Sequence, residues 1–100
     1  MKICIGTMVK NEEDIILEWI VYHGKLFGIN NLFIIDNYSE DNTFYFCQKF
    51  IKYGLKLIRK DNYLAKGDYM TDILHYAKKL NYDIFIPLDI DEFVTLNGSP

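Results

Sequence analysis

Residues 31–42 read Asn31-Leu32-Phe33-Ile34-Ile35-Asp36-Asn37-Tyr38-Ser39-Glu40-Asp41-Asn42. A short apolar run stops on an acid and opens into a polar turn. Strands with one wet face alternate apolar and polar residues, whereas a run apolar on both faces suits a parallel sheet covered on both sides. Asp83-Ile84-Phe85-Ile86-Pro87-Leu88-Asp89 repeats the pattern and continues into Ile90-Asp91-Glu92. Pro87 cannot donate to a strand ladder, so it marks an edge or a strand end.

The segments between these runs carry helical periodicity. Lys2 to Val9 predicts a first strand, short, apolar and β-branched. Asn11, followed by Glu12, Glu13 and Asp14, predicts a helix start, because free N–H groups and the macrodipole favour side-chain oxygens and acids there. That helix is expected to reach Phe27. It carries Ile16, Ile20, His23 and Phe27 on one stripe and Ile15, Trp19, Tyr22 and Leu26 on the next, with Gly28 as C-cap. Ser39 or Asp41 is expected to cap a second helix that carries Phe46, Phe50 and Tyr53 and ends at Gly54. Residues 55–59 predict a third strand. Residues 67–80 predict a third helix, with Met70, Ile73, Leu74, Ala77 and Leu80 at helical spacing.

The order β-α-β-α-β-α-β predicts an α/β fold and a mainly parallel sheet with right-handed crossovers; strand order 3-2-1-4 is the one expected of a nucleotide-binding half. Ligands of such sheets bind outside the carboxyl ends of the strands. Here those ends carry Thr7 to Glu12, Asp36 to Asp41, Asp61 to Asp68 and Asp89 to Glu92, all polar and acid-rich after apolar strands.

Composition narrows the function classes. The 100 residues allow one domain, spanning 1–100, and half of them are apolar, as a globular core requires. Eleven basic against 14 acidic residues leave a net charge of −3, without the basic clustering of a nucleic-acid binder. Two cysteines make no disulfide framework. No apolar stretch approaches the ~18 residues of a membrane span, and the N-terminal run is short for a signal-peptide core. A reduced, cytoplasmic compartment is the default expectation.

Asp89 and Asp91 form the sharpest chemical candidate. In an extended chain alternate side chains share a face, so both carboxylates would point together while Ile90 points inward. Paired carboxylates suit Mg²⁺ or Mn²⁺, which are commonly held by one or two acids plus substrate phosphates. The plainer reading is a pair of solvated acids at a strand end. Asp36 fits either a nucleoside contact or the start of a turn. The N–H groups of residues 7–12 could face a ligand, although the glycine-rich phosphate fingerprints are absent. His23 and His75 read as packed or surface side chains. Cys4 and Cys47 read as small buried hydrophobes.

Five pieces in order then carry a resemblance: Lys10-Asn11-Glu12-Glu13, Glu18-Trp19 with Tyr22-His23, Gly28, Asp36-Asn37 with Ser39, Asp41 and Thr43, and Leu88-Asp89-Ile90-Asp91-Glu92-Phe93. Together they cover about residues 3–94. The chain resembles the donor-binding half of glycosyltransferases of the family 2 and family 92 type, with the three-layer, Rossmann-like GT-A fold. The resemblance implies a nucleotide-diphosphate sugar, a uridine diphosphate sugar by preference. It implies contacts to that donor from Thr7, Val9, Asn11, Glu12 and Asp36 and from Asp89, Ile90 and Asp91. Asp89 and Asp91 would hold Mn²⁺ or Mg²⁺ against the diphosphate. Ser39, Asp41 and Thr43 match a structural turn, and Trp19, Tyr22 and His23 match helix-to-sheet packing. The acceptor is a glycan, protein or lipid hydroxyl. No residue matches a catalytic base, and the family's acceptor-binding segments follow the D-x-D motif, so activity is expected only with further sequence. Two other readings remain: a non-catalytic remnant of such an enzyme, and a haloacid-dehalogenase-type phosphatase with Asp89 as nucleophile. The second expects Thr or Val where Phe93 stands, and later motifs that have no room here.

Overall fold

A computed structural model describes residues 1–60 and 66–95, and of 66–70 the backbone alone. The elements follow the expected order: β1 (Ile3–Val9), α1 (Ile16–Phe27), β2 (Leu32–Asp36), α2 (Thr43–Gln48), β3 (Lys56–Arg59), α3 (Lys66–Lys79) and β4 (Ile84–Pro87). The four strands form one sheet in the order β3-β2-β1-β4, and every pairing is parallel. Of the expected strand-end run Asp61 to Asp68, residues 61–65 lie outside the described residues, as does the Met70 side chain, and Lys66 to Asp68 already belong to α3.

Alternation along the central strands divides the core into two layers. Ile5, Leu32 and Ile34 pack with Ile16, Trp19 and Ile20 of α1 and with Cys47 of α2. Cys4, Phe33 and Ile35 pack instead with Ile73 and Ala77 of α3. All five residues of β2 are buried, because β2 has a strand on each side and a helix layer over each face. β4 lies at the edge, and Pro87 is its last residue. Beyond Pro87, the Leu88 N–H resumes the ladder by donating to the Gly6 carbonyl at 2.9 Å.

Three local expectations are corrected. α1 begins at Ile16 rather than Asn11, which sits at φ 54° and does not cap the helix. The Glu12 carbonyl instead accepts the Ile15 and Ile16 N–H groups at the first turn. The second helix stops at Gln48, and a separate 3₁₀ turn at Ile51–Tyr53 leads to Gly54 at φ 101°. The break follows from tight i to i−3 bonds, Phe50 to Cys47 and Tyr53 to Phe50, which overwind the backbone. Tyr53 is therefore exposed instead of lying on the core face, and Leu74 of α3 also faces solvent, at 40% exposure.

Side chains of α3 and β4 close over Gly6 of β1. A methyl group there would stand 2.5 Å from the Phe85 ring and 3.3 Å from Ile73. Gly6→Ala should therefore destabilise the chain by about 1–3 kcal/mol, the usual cost of overpacking. Phe85→Leu should recover part of that loss in the double variant, as read by chemical denaturation.

Candidate functional site

Register places the ends of three strands in one row. Val9 pairs with Asp36, and Asp36 pairs with Arg59. The loops leaving β1 and β2 thus start side by side, and side chains stitch them together. The Asn11 N–H donates to Ser39 Oγ at 2.9 Å, the Glu12 N–H to Thr43 Oγ1 at 2.7 Å, and the Glu13 N–H to Asp41 Oδ2 at 3.2 Å. In return, Asn11 Oδ1 accepts the Glu40 N–H at 2.7 Å. Side chains of the β2–α2 loop and of Thr43, the first residue of α2, therefore occupy two of the N–H groups that the sequence offered to a ligand, those of Asn11 and Glu12.

Asp41 is the hub of the α2 end of this stitch. Its Oδ1 accepts both the N–H and the hydroxyl of Thr43, at 2.9 and 2.6 Å. Desolvation pushes the Asp41 carboxyl up, but the bonds from Thr43 and from the Glu13 N–H together outweigh it and hold the carboxyl below its ordinary range. This aspartate, not Asn42 at the formal cap position, satisfies the start of α2.

Asp36 is fully buried. Its Oδ1 accepts the Ser39 hydroxyl at 2.5 Å, and its Oδ2 accepts the Ser39 N–H at 3.1 Å and faces Arg59 Nε at 3.3 Å. Arg59 also donates to the Ser39 carbonyl at 3.1 Å. Its guanidinium lies over the rings of Phe44 and Tyr38, 4.2 and 4.8 Å from their centroids. Sequence reading missed Arg59. The available signal was its place at the end of the strand beside Asp36, which only the register reveals.

The D-x-D acids are not extended. Residues 89–92 form a turn in which the Glu92 N–H donates to the Asp89 carbonyl at 3.0 Å, while Glu92 Oε1 accepts the Asp89 N–H at 2.7 Å. The alternation argument for two carboxylates on one strand face is thereby overturned. Asp89 and Asp91 are both exposed on the turn, and Ile90 packs against the core. No group of three or more His, Cys, Asp or Glu side chains disposed to hold a metal occurs among the described residues.

The chain leaving this turn is tied to α1. Tyr22 Oη donates to the Val94 carbonyl at 2.5 Å, and the Val94 N–H donates to His23 Nε2 at 3.3 Å. The Phe93 ring stacks on His23, 5.5 Å between centroids and 19° from parallel. His23 is fully buried, and its Nδ1 lies 3.0 Å from the Trp19 carbonyl. Both contacts fit one neutral tautomer, with the proton on Nδ1 and the Nε2 lone pair toward Val94. Burial pushes the His23 pKa below its ordinary value, against the opposing bond to Trp19.

Thr7 and Val9 have buried side chains. The Thr7 hydroxyl has no hydrogen-bond partner among the described residues. Asn11 is exposed and Glu12 half-buried. Cys4 and Cys47 are buried on opposite faces of the sheet, and burial pushes their thiols up to about 11 and about 12. A cavity of about 460 Å³ between β3 and α3, lined by Ile35, Ile58 and Tyr76 among others, contains none of the expected site residues.

Comparison with known proteins agrees in part with the resemblance. No family model matches the chain. It is 42% identical over 41 residues to a glycosyltransferase family 92 protein of Ricinus communis. It is 42% identical over 38 residues to one of Oryza sativa subsp. japonica, and 34% over 62 residues to one of Arabidopsis thaliana. The chain is similar to glycosyltransferase family 92 proteins. The matched stretches cover 41%, 38% and 62% of this chain but only 7%, 6% and 9% of those relatives, so the match spans less than a tenth of their length. Among the described residues, no helix is long and apolar enough to cross a membrane.

Two predictions follow from the buried polar groups. Arg59→Ala leaves the Asp36 carboxylate buried without its counter-charge and should cost about 3 kcal/mol, the lower end for a broken buried pair because Arg59 is partly exposed. Arg59→Lys should recover only part of this, since an ammonium lacks the planar fork and the stacking surface. For His23, the folded state binds its proton less readily than the unfolded chain. Stability should therefore be full above pH ~6.5 and fall as the pH drops through the depressed folded value. Thermal melts between pH 8 and 5 should show this acid-side loss, and His23→Gln should flatten it.

Proposed function

We propose that this chain is a donor-binding portion of a glycosyltransferase that holds a nucleotide-diphosphate sugar, a uridine diphosphate sugar by preference, at the carboxyl ends of β1, β2 and β4. The carrying observation is the acidic turn Asp89–Glu92, which leaves β4 beside β1 in an all-parallel sheet, in a chain similar to glycosyltransferase family 92 proteins. The strand order reverses between β1 and β4, where open α/β sheets take their ligands.

The donor set of this turn fits a hard divalent cation: two exposed carboxylates two residues apart, with substrate phosphates to complete the shell. Asp89 and Asp91 would hold Mn²⁺ or Mg²⁺, which when bound would neutralise charge on a departing diphosphate. The protein's share is to hold the turn. Glu92 closes it, Ile90 anchors it to the core, and Tyr22 and His23 fix the chain that follows. The transfer would be attack by an acceptor hydroxyl of a glycan, protein or lipid on the anomeric carbon of the sugar. No residue here is assigned as its base.

A second reading, a folded module that binds no nucleotide, draws support from one observation. The N–H groups of Asn11, Glu12 and Glu13 already donate to the β2–α2 loop. Calorimetry with uridine diphosphate, with and without Mn²⁺, separates the two. The donor-binding reading expects Mn²⁺-dependent binding that Asp91→Ala abolishes. Binding unchanged in Asp91→Ala would overturn the metal assignment, and a folded chain that binds neither way would favour the second reading.

A further inference from the structure

We infer that the Tyr38 ring is the stacking platform for the base of a bound nucleoside diphosphate, with Asp36 and Arg59 positioning it from beneath. This rests on the donor-binding reading above and changes where that reading places the nucleoside. Asp36 was the expected nucleoside contact, but it is fully buried and its oxygens are engaged by Ser39 and Arg59. Its carboxylate therefore acts inward. What it holds is the Arg59 guanidinium, fixed further by the Ser39 carbonyl and lying against the Phe44 ring. Tyr38 lies over that same guanidinium, 4.8 Å from the guanidinium carbon to the ring centroid.

Two features of Tyr38 are unusual for a residue with only a packing role. Its backbone sits at φ 47°, a conformation that bulky side chains rarely adopt and that Asn or Gly would occupy with less strain. Its side chain gains little burial in return, since 48% of the residue remains in solvent. The ring is thus an aromatic surface held from behind by a fixed cation, open to the solvent, in the loop that leaves β2. Any base presents a π-face to such a surface, and base–aromatic stacking is worth ~1–3 kcal/mol.

The spacing across the sheet is consistent with one ligand reaching both sites. β1 alone separates β2 from β4, so the loop after β2 and the acidic turn after β4 leave strands two spacings apart, roughly 10 Å. The distance from the terminal phosphate of a nucleoside diphosphate to its base is of that order. With the diphosphate at Asp89 and Asp91, its base would reach toward Tyr38.

Binding of Mn²⁺–uridine diphosphate and of Mn²⁺–pyrophosphate tests this, each measured by calorimetry on the whole chain. Tyr38→Asn removes the ring while keeping a residue that tolerates the left-handed backbone, and Tyr38→Phe keeps the ring. Tyr38→Asn should weaken uridine diphosphate binding about tenfold, within the range that base stacking supplies, and leave pyrophosphate binding unchanged. Tyr38→Phe should leave both unchanged. Equal loss for both ligands in Tyr38→Asn would show a general disturbance of the loop and overturn the platform, as would unaltered uridine diphosphate binding. A wild-type chain that binds neither ligand would overturn the donor-binding reading itself, and this inference with it.

Discussion

Side chains of the β2–α2 loop cap the backbone N–H groups of the β1–α1 loop, and the carboxyl end of the sheet depends on that contact. Ser39, Thr43 and Asp41 each accept one N–H from the three consecutive residues Asn11, Glu12 and Glu13. Free N–H groups ahead of a helix need acceptors, and here a neighbouring loop supplies them, not the helix's own cap. This delays α1 to Ile16 and lets Asn11 turn back to accept the Glu40 N–H. It also commits Ser39 to Asp36, and so links the stitch to the buried ion pair with Arg59.

The opposite side of the sheet's carboxyl end is organised differently. The turn after β4 closes on itself through Glu92, and its outgoing chain is held by Tyr22 and His23 of α1. Both backbone polar groups of Val94 are satisfied by two adjacent side chains of one helix, an arrangement that substitutes for a further strand pairing. α1 thus serves both halves of the candidate site: the loop before it meets β2, and its middle secures the segment beyond the acidic turn. The result is a rim in which the charged groups facing inward are paired and the acids at Asp89 and Asp91 stand outward.

Much of the architecture was legible in residue patterns. The apolar runs at residues 32–35 and 84–86 are strands, and Ile73 and Ala77 mark the buried stripe of α3. The parallel sheet followed from the alternation of elements, while strand order 3-2-1-4 was the order expected of a nucleotide-binding half. Helix starts were the weak point, because Asn11 carries every local mark of a cap. What defeats that reading is a competing acceptor set 28 to 31 residues away, which no local window contains. The Asp89–Asp91 pair was visible as residues, but its geometry was not. A two-residue period holds only in extended chain, and the Glu92 side chain folds this segment into a turn.

The sequence by itself determined the fold class, the parallel sheet, the two-sided core and the identity of the acids at the strand ends, because burial and helical or strand periodicity are local properties of side chains. Tertiary structure alone decided the partners. Asp36 meets Arg59 only because parallel register brings the last residues of β2 and β3 level. Val94 meets Tyr22 and His23 only because the chain beyond the Asp89–Glu92 turn passes the middle of α1 in the folded structure. Hydrogen bonds and ion pairs act over a few ångströms, so residues far apart in sequence acquire a chemical role only when folding has brought them within that reach.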